Sequence, residues 1–230
     1  VFIRHPLTLL TKEVPPLSLS PQTTAILVQD LHAPFADDAE GWLATQARAK
    51  VVSREFDEYF ETLRLLTANI TQSLSVARRA GFQVVYSCLG YHTPESPSTF
   101  QAATGWDWCL DDVEGRFPGP WQPHPQEPIF AKPGWGATAN PQFESYLQSH
   151  QIKTVVVVGA MFEFGIRQTC LALADQGYQC LVISDAVVPL TAMGQRYTAG
   201  MLAHGLVKLR STGEFTDLVA RIHAEEAVWV

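Results

Sequence analysis

The chain has 230 residues, 47% hydrophobic and 17% charged. That length buries one sizeable core, and the composition excludes a disordered or coiled-coil chain. With 16 basic against 23 acidic residues the formal charge is −7, and no basic stripe appears, so nucleic acid and anionic membranes are poor partners.

Four cysteines, Cys88, Cys109, Cys170 and Cys180, form no CxxC and no zinc-knuckle spacing, and read as reduced, mostly buried thiols. No apolar run reaches transmembrane length, and Val1-Phe2-Ile3-Arg4 lacks the apolar segment of a signal peptide. The expectation is a soluble, cytoplasmic protein.

Residues 1–23 read as an extension carrying Pro6, Pro15, Pro16 and Pro21. A first strand is predicted over 25–29. Tyr59, Leu63, Leu66, Ile70, Leu74 and Ala77 recur at steps of three and four, an apolar helical stripe that ends before Gly81. A second strand covers 83–87. The proline-rich stretch 89–127 carries Trp106, Trp108 and Trp121 without a period, the mark of a functional loop or a subunit contact. A third strand covers 128–131.

Asn140-Pro141 is a helix start, with Phe143, Tyr146 and Leu147 turned to the sheet. A fourth strand at 154–158 leads to a helix over 163–175, stopped near Gly177. A fifth strand at 180–184, a helix over 192–203, a sixth strand at 205–209 and a helix over 216–225 complete the chain.

Most of these strands are continuously apolar, the pattern of strands covered on both faces. The order implies a three-layer α/β/α sandwich around a mostly parallel, six-stranded, Rossmann-like sheet. It is read as a single domain over 1–230 with its core at about 24–215.

In such sheets ligands gather beyond the carboxyl ends of the strands. Asp30 follows the first strand and Lys132 the third, while Gly159-Ala160-Met161 follows the fourth and opens a helix whose N–H groups favour an anion. An Asp in such a place is ordinarily a turn or cap residue, and a lone Lys a surface residue. Together at one sheet edge they form an acid/base pair.

These residues carry a family resemblance. A strand ending in Asp30 with Phe35 five residues on, Lys132 followed by Trp135-Gly136-Ala137, and Gly159 followed by a helix with Thr169 and Asp175-Gln176-Gly177-Tyr178 stand in an order and spacing that resemble the isochorismatase-like cysteine hydrolases, a family that includes nicotinamidases. Ser184-Asp185-Ala186 is a further echo. The resemblance runs from about Thr24 to Phe215. It implies an Asp–Lys–Cys triad, of which Asp30 and Lys132 match two members. The nucleophile's place falls on Gly165, and Cys170, five residues later, reads as a core residue.

Without a thiolate no acyl-enzyme forms. The branch of the family with Gly at this place cleaves vinyl ethers by acid catalysis, which implies Asp30 as the acid, Lys132 as its orienting partner, and Gly165 as room and a backbone N–H for substrate. A cation beside Asp30 favours its charged form, whereas acid work requires the protonated one. His32 stands where that branch has Gln, and Leu89 where it has a substrate-binding Gln; Arg167 or Arg116 is then a candidate for a substrate carboxylate.

Phe35, Trp135, Ala160, Met161 and Arg167 are expected to contact substrate, with Trp106, Trp108 and Trp121 as further wall or packing residues. Of the metal ligands of nicotinamidases only His92 remains, so neither a metal nor another cofactor is expected. Three readings stay open: a vinyl-ether hydrolase of a small carboxylic acid, a catalytically silent binding or regulatory protein, and a hydrolase using Asp30-activated water. The resemblance also implies a homodimer or homotetramer.

Overall fold

A computed structural model describes residues 16–50, 53–92, 98–202 and 207–227; side chains 53–55 and 223–227 are outside the description. The extension at 1–15 and part of the predicted sixth strand lie outside the described residues.

Six strands form one sheet: β1 Thr24–Gln29, β2 Gln83–Leu89, β3 Ile129–Lys132, β4 Thr154–Ala160, β5 Gln179–Val188 and β6 Val207–Arg210. Their order is β3-β2-β1-β4-β5-β6, and every pairing is parallel. Valine and isoleucine fill the central strands because both faces are covered, and β1 and β4 are buried at every position.

Among the described residues the α-helices are α1 Ala33–Ala36, α2 Trp42–Ala49, α3 Ser53–Arg79, α4 Thr99–Thr104, α5 Pro141–Ser149, α6 Arg167–Asp175, α7 Ala192–Leu202 and α8 Thr212–Ala227. One core layer joins Ile26 and Val28 of β1 to Leu63, Ile70 and Leu74 of α3 and Phe215 of α8. The other joins Leu27 to Phe143 and Leu147 of α5, Leu173 of α6 and Leu202 of α7. The chain is therefore the expected α/β/α sandwich.

The differences from the sequence reading have local causes. The stretch 89–127 is not structureless: Ser98 and Gln101 make a reciprocal capping box that starts α4. Trp121 is a core residue rather than a pocket wall, buried with its Nε1 donating to the Leu31 carbonyl at 2.8 Å.

The helix after β4 begins with a widened, π-type turn over Phe162–Ile166, and only then becomes α6. α8 starts four residues earlier than predicted, because Ser211 and Glu214 cap each other. Asp185 holds that same start, accepting from the Thr212 N–H at 2.7 Å and hydroxyl at 2.8 Å. β5 runs past its predicted end through a register shift against β4 between Val157 and Gly159.

Successive strands move outward from β1 in one direction and from β4 in the other. The chain reversal thus lies between β1 and β4, and a crevice at their carboxyl ends is the natural ligand position.

Candidate active site

Asp30 is the first residue beyond β1, at that reversal. Its backbone is left-handed, with φ 52°, a conformation that Asp tolerates better than most residues. The turn is fixed from β2: the Asp30 N–H donates to the Ser87 carbonyl at 2.9 Å, and the Leu89 N–H donates to Asp30 Oδ1, also at 2.9 Å. Asp30 is 4% exposed.

Lys132 closes β3, two strands away from β1, which is roughly 9–10 Å across the sheet. Its side chain spans that distance past the end of β2. Nζ stands 2.8 Å from Asp30 Oδ2 and donates to the carbonyls of Gly134 and Trp135, at 3.1 and 2.8 Å. The ammonium is fully buried, so these three acceptors replace its water. The two residues predicted as a pair are thus in contact.

Gly165, in the π-type turn, faces this pair. A β-carbon there would overlap the Gln29 amide nitrogen and stand 2.9 Å from the Trp135 carbonyl and 3.2 Å from Asp30 Oδ2. Gln29, the last residue of β1, is itself buried. Its Nε2 donates to Asp30 Oδ2 at 3.3 Å and to the Trp135 carbonyl at 3.4 Å, while its Oε1 accepts from the Thr169 hydroxyl at 2.8 Å. Across the switch point Gly159, with φ +122°, lies in register with Gln29; a β-carbon there would overlap the Gln29 carbonyl.

His32 is buried beneath Trp108 and Phe35, edge-on to both rings. Its Nε2 donates to the Leu89 carbonyl at 3.0 Å, and its Nδ1 has no partner among the described residues. Burial, the dominant cause, lowers the imidazole from 6.5 to about 4, against the opposing pull of the Asp30 carboxyl. It is therefore neutral at physiological pH and serves as a fixed donor to the segment that holds Asp30.

Beside this buried cluster opens an apolar pocket of about 280 Å³. Phe35, Trp42, Trp106, Trp135, Met161 and Phe164 make half of its wall, and Lys50 brings a charged side chain to it. Trp135 stacks on Phe164 with ring centroids 5.0 Å apart, and Trp106 meets Trp135 edge-on at 4.8 Å. Neither Asp30 nor Lys132 lines the pocket.

Of the residues expected to contact substrate, Phe35, Trp135 and Met161 share this wall, while Ala160 and Arg167 do not. Ala160 is fully buried at the end of β4. Arg167 Nε donates to the Glu163 carbonyl at 3.0 Å, and Arg116 pairs with Asp37 at 2.5 Å. Trp108 backs the pocket by packing on Phe35 and Trp42 without lining it.

Gln29 and Trp42 join the site without an expectation from the sequence, whereas Phe164 is one of the residues expected to fill the pocket if the protein is catalytically silent. The signal for Gln29 was present, as an amide ending an otherwise apolar strand run. Trp42 and Phe164 reach the pocket through α2 and the π-type turn, which periodicity did not indicate.

His92 Nδ1 lies 2.9 Å from Asp111, and among the described residues no three His, Cys, Asp or Glu side chains converge. No helix among the described residues is long and apolar enough to cross a membrane.

Cys88, Cys170 and Cys180 offer no exposed thiol in place of one at 165. Cys88 is wholly buried on the opposite face of β2, and burial pushes its thiol well up, with the Asp30 carboxyl adding to the effect. The Cys170 thiol is also pushed up, by its contact with Cys180 and by burial.

Comparison with known proteins agrees with this architecture. Residues 24–214 match the isochorismatase domain family. The ureidoacrylate amidohydrolase of Stutzerimonas stutzeri is 24% identical, over 74% of this chain and 72% of that protein. A cysteine hydrolase from Pseudomonas syringae superposes with a TM-score of 0.75 at 17% identity, covering 93% of this chain and 99% of its own. A nicotinamidase from Bacillus subtilis gives 0.63 at 16% identity, covering 79% and 95%. An N-carbamoylsarcosine amidase from Thermoplasma acidophilum gives 0.62 at 18%, covering 83% and 96%. The chain belongs to the isochorismatase family and has the fold of its hydrolases.

Proposed function

We propose that this member of the isochorismatase family binds a small flat molecule in its aromatic pocket and forms no acyl-enzyme with it. The observation that carries the reading is the occupancy of the space beside Asp30: residue 165 is glycine, and the Gln29 amide fills the volume a side chain there would need. Acyl transfer requires an activated nucleophile within reach of its base. Cys88, Cys170 and Cys180 are buried, and the half-buried Cys109 forms a β-bridge with Tyr91.

The pocket supports a ring-shaped ligand. Its walls offer aromatic faces and edges, its volume of about 280 Å³ suits one small ring system, and Trp135, whose carbonyl accepts from Lys132, is part of its wall.

A second reading is acid-catalysed cleavage of a vinyl ether by Asp30. The 2.8 Å contact of Asp30 with Lys132 beside Gly165 favours it. Against it, both carboxyl oxygens already accept hydrogen bonds, Oδ1 from the Leu89 N–H and Oδ2 from Lys132 and Gln29. A general acid must instead direct a proton at its substrate.

The names of the relatives supply probes: nicotinamide, N-carbamoylsarcosine and ureidoacrylate, with isochorismate for the second reading. The protein is incubated with each, and ammonia and pyruvate are followed by NMR and coupled assay, with tryptophan fluorescence reporting binding. The binding reading expects a saturable fluorescence change with flat heteroaromatic probes and no product. Pyruvate release abolished by Asp30→Asn establishes the vinyl-ether reading in its place, and ammonia release by the natural protein overturns both.

A further inference from the structure

We propose that Gln29 and Gly165 are a coupled pair, in which the Gln29 carboxamide occupies the volume that a side chain at 165 would take and locks Asp30 against Lys132. The proposal rests on the reading that no acyl transfer occurs here, and it names the residue that enforces it.

The amide is fixed at both ends. Thr169 donates to its oxygen at 2.8 Å, and the same hydroxyl accepts from the Ala137 N–H at 2.9 Å. Its nitrogen donates to Asp30 and to the Trp135 carbonyl. That carbonyl is also held by Lys132 at 2.8 Å. A side chain at 165 thus meets an amide that moves only by breaking buried hydrogen bonds, and a carbonyl already tied to the ammonium. The Gln29 amide and the Trp135 carbonyl together leave room only for glycine at 165.

A second observation concerns the space behind the amide. Ser87 is in register with Gln29 and, by the alternation along β2, lies on the same sheet face. It is fully buried, and its hydroxyl has no partner among the described residues. Shortening residue 29 to alanine removes four heavy atoms and leaves a space near the hydroxyls of Ser87 and Thr169 and the Asp30 carboxylate. That polar space is suited to water. Gln29 is therefore a positioning residue that keeps the site dry and closed.

A double-mutant cycle tests the pair. Gly165→Ala, Gln29→Ala and the double variant are compared by thermal denaturation. Gly165→Ala is expected to lower Tm by roughly 5 °C in the natural background and by measurably less with Gln29→Ala, where the Trp135 carbonyl still crowds the new β-carbon. Equal losses in the two backgrounds overturn the proposal.

Gly165→Cys is then made in both backgrounds and treated briefly with iodoacetamide, with peptide mapping to separate the new thiol from Cys109. Alkylation at 165 is expected to be roughly tenfold or more faster with Gln29→Ala, a gain that a merely structural role for Gln29 would not produce. Equal rates contradict the pairing. If the cysteine variant folds in neither background, the alanine cycle alone decides. Neither readout involves a pocket ligand, so failure of the binding reading leaves both unmoved.

Discussion

Asp30 and Lys132 are 4% and 0% exposed, whereas Phe164, on the turn beside them, is 40% exposed. The polar cluster is held by an ion pair and hydrogen bonds whose donors come from β1, β2 and β3. The aromatic pocket is held by ring contacts between α2, the 89–127 stretch and the segment after β3. One region tolerates no change of atom type, because each buried polar group depends on a named partner. The other tolerates change of shape, because apolar contact is not directional. Stability and ligand recognition should therefore separate between them.

The largest effect should come from Lys132→Ala. It leaves Asp30 buried without its cation and is expected to cost about 3–5 kcal/mol in denaturant unfolding. A cost below about 1 kcal/mol, the range of an exposed ion pair, would mean the cluster is open to water and the contrast with the pocket is lost.

His32 gives the next effect. Its folded value near 4 lies below the ordinary 6.5, so between those values the unfolded chain binds the extra proton. Its contribution is complete above about pH 6.5 and is lost on acidification toward pH 4, by about 3 kcal/mol. His32→Gln keeps a donor for the Leu89 carbonyl and removes the titration. Stability measured from pH 7 to 4 should therefore fall less steeply in that variant, and parallel slopes would count against a sealed cluster.

Glu163 ties the turn that carries Phe164 to Leu190, and both of those residues line the pocket. Its carboxylate accepts from the backbone N–H groups of Leu190 and Thr191, at 2.8 and 2.9 Å, ahead of α7. Glu163→Ala should cost about 1–2 kcal/mol in unfolding by loss of this cap. It should also weaken probe binding, because Leu190 is part of the pocket wall.

The smallest stability effect belongs to Phe164→Ala, at about 1 kcal/mol or less because the ring is already part-exposed. Yet the loss of its stack on Trp135 should weaken a flat ligand by roughly tenfold. A variant that binds normally would remove Phe164 from the pocket's working wall.

The sheet was legible because parallel strands covered on both faces must be apolar throughout, and the runs at Ala25–Val28 and Val155–Val158 contain no polar residue. Asp30 and Lys132 were legible as charges placed directly after such runs. That Lys132 spans the end of β2 was not, since strand order does not specify a side chain's path. Nor were the small helices α1, α2 and α4, whose 4 to 8 residues are too short for a periodic stripe. The capping box at Ser98 and Gln101 and the one at Ser211 and Glu214 were present as sequence signals. Gln29 was hidden by a different cause. An amide at a strand end has many surface roles, and only the approach of Gly165 in space gives it this one.

The most direct test of the central claim is an NMR incubation of the natural protein with flat heteroaromatic amides and acids, nicotinamide and nicotinate among them. The account predicts saturation transfer from protein to a bound ring, lost with Trp135→Ala, and no conversion of amide to acid. Appearance of the acid at a rate that depends on Asp30 would contradict it.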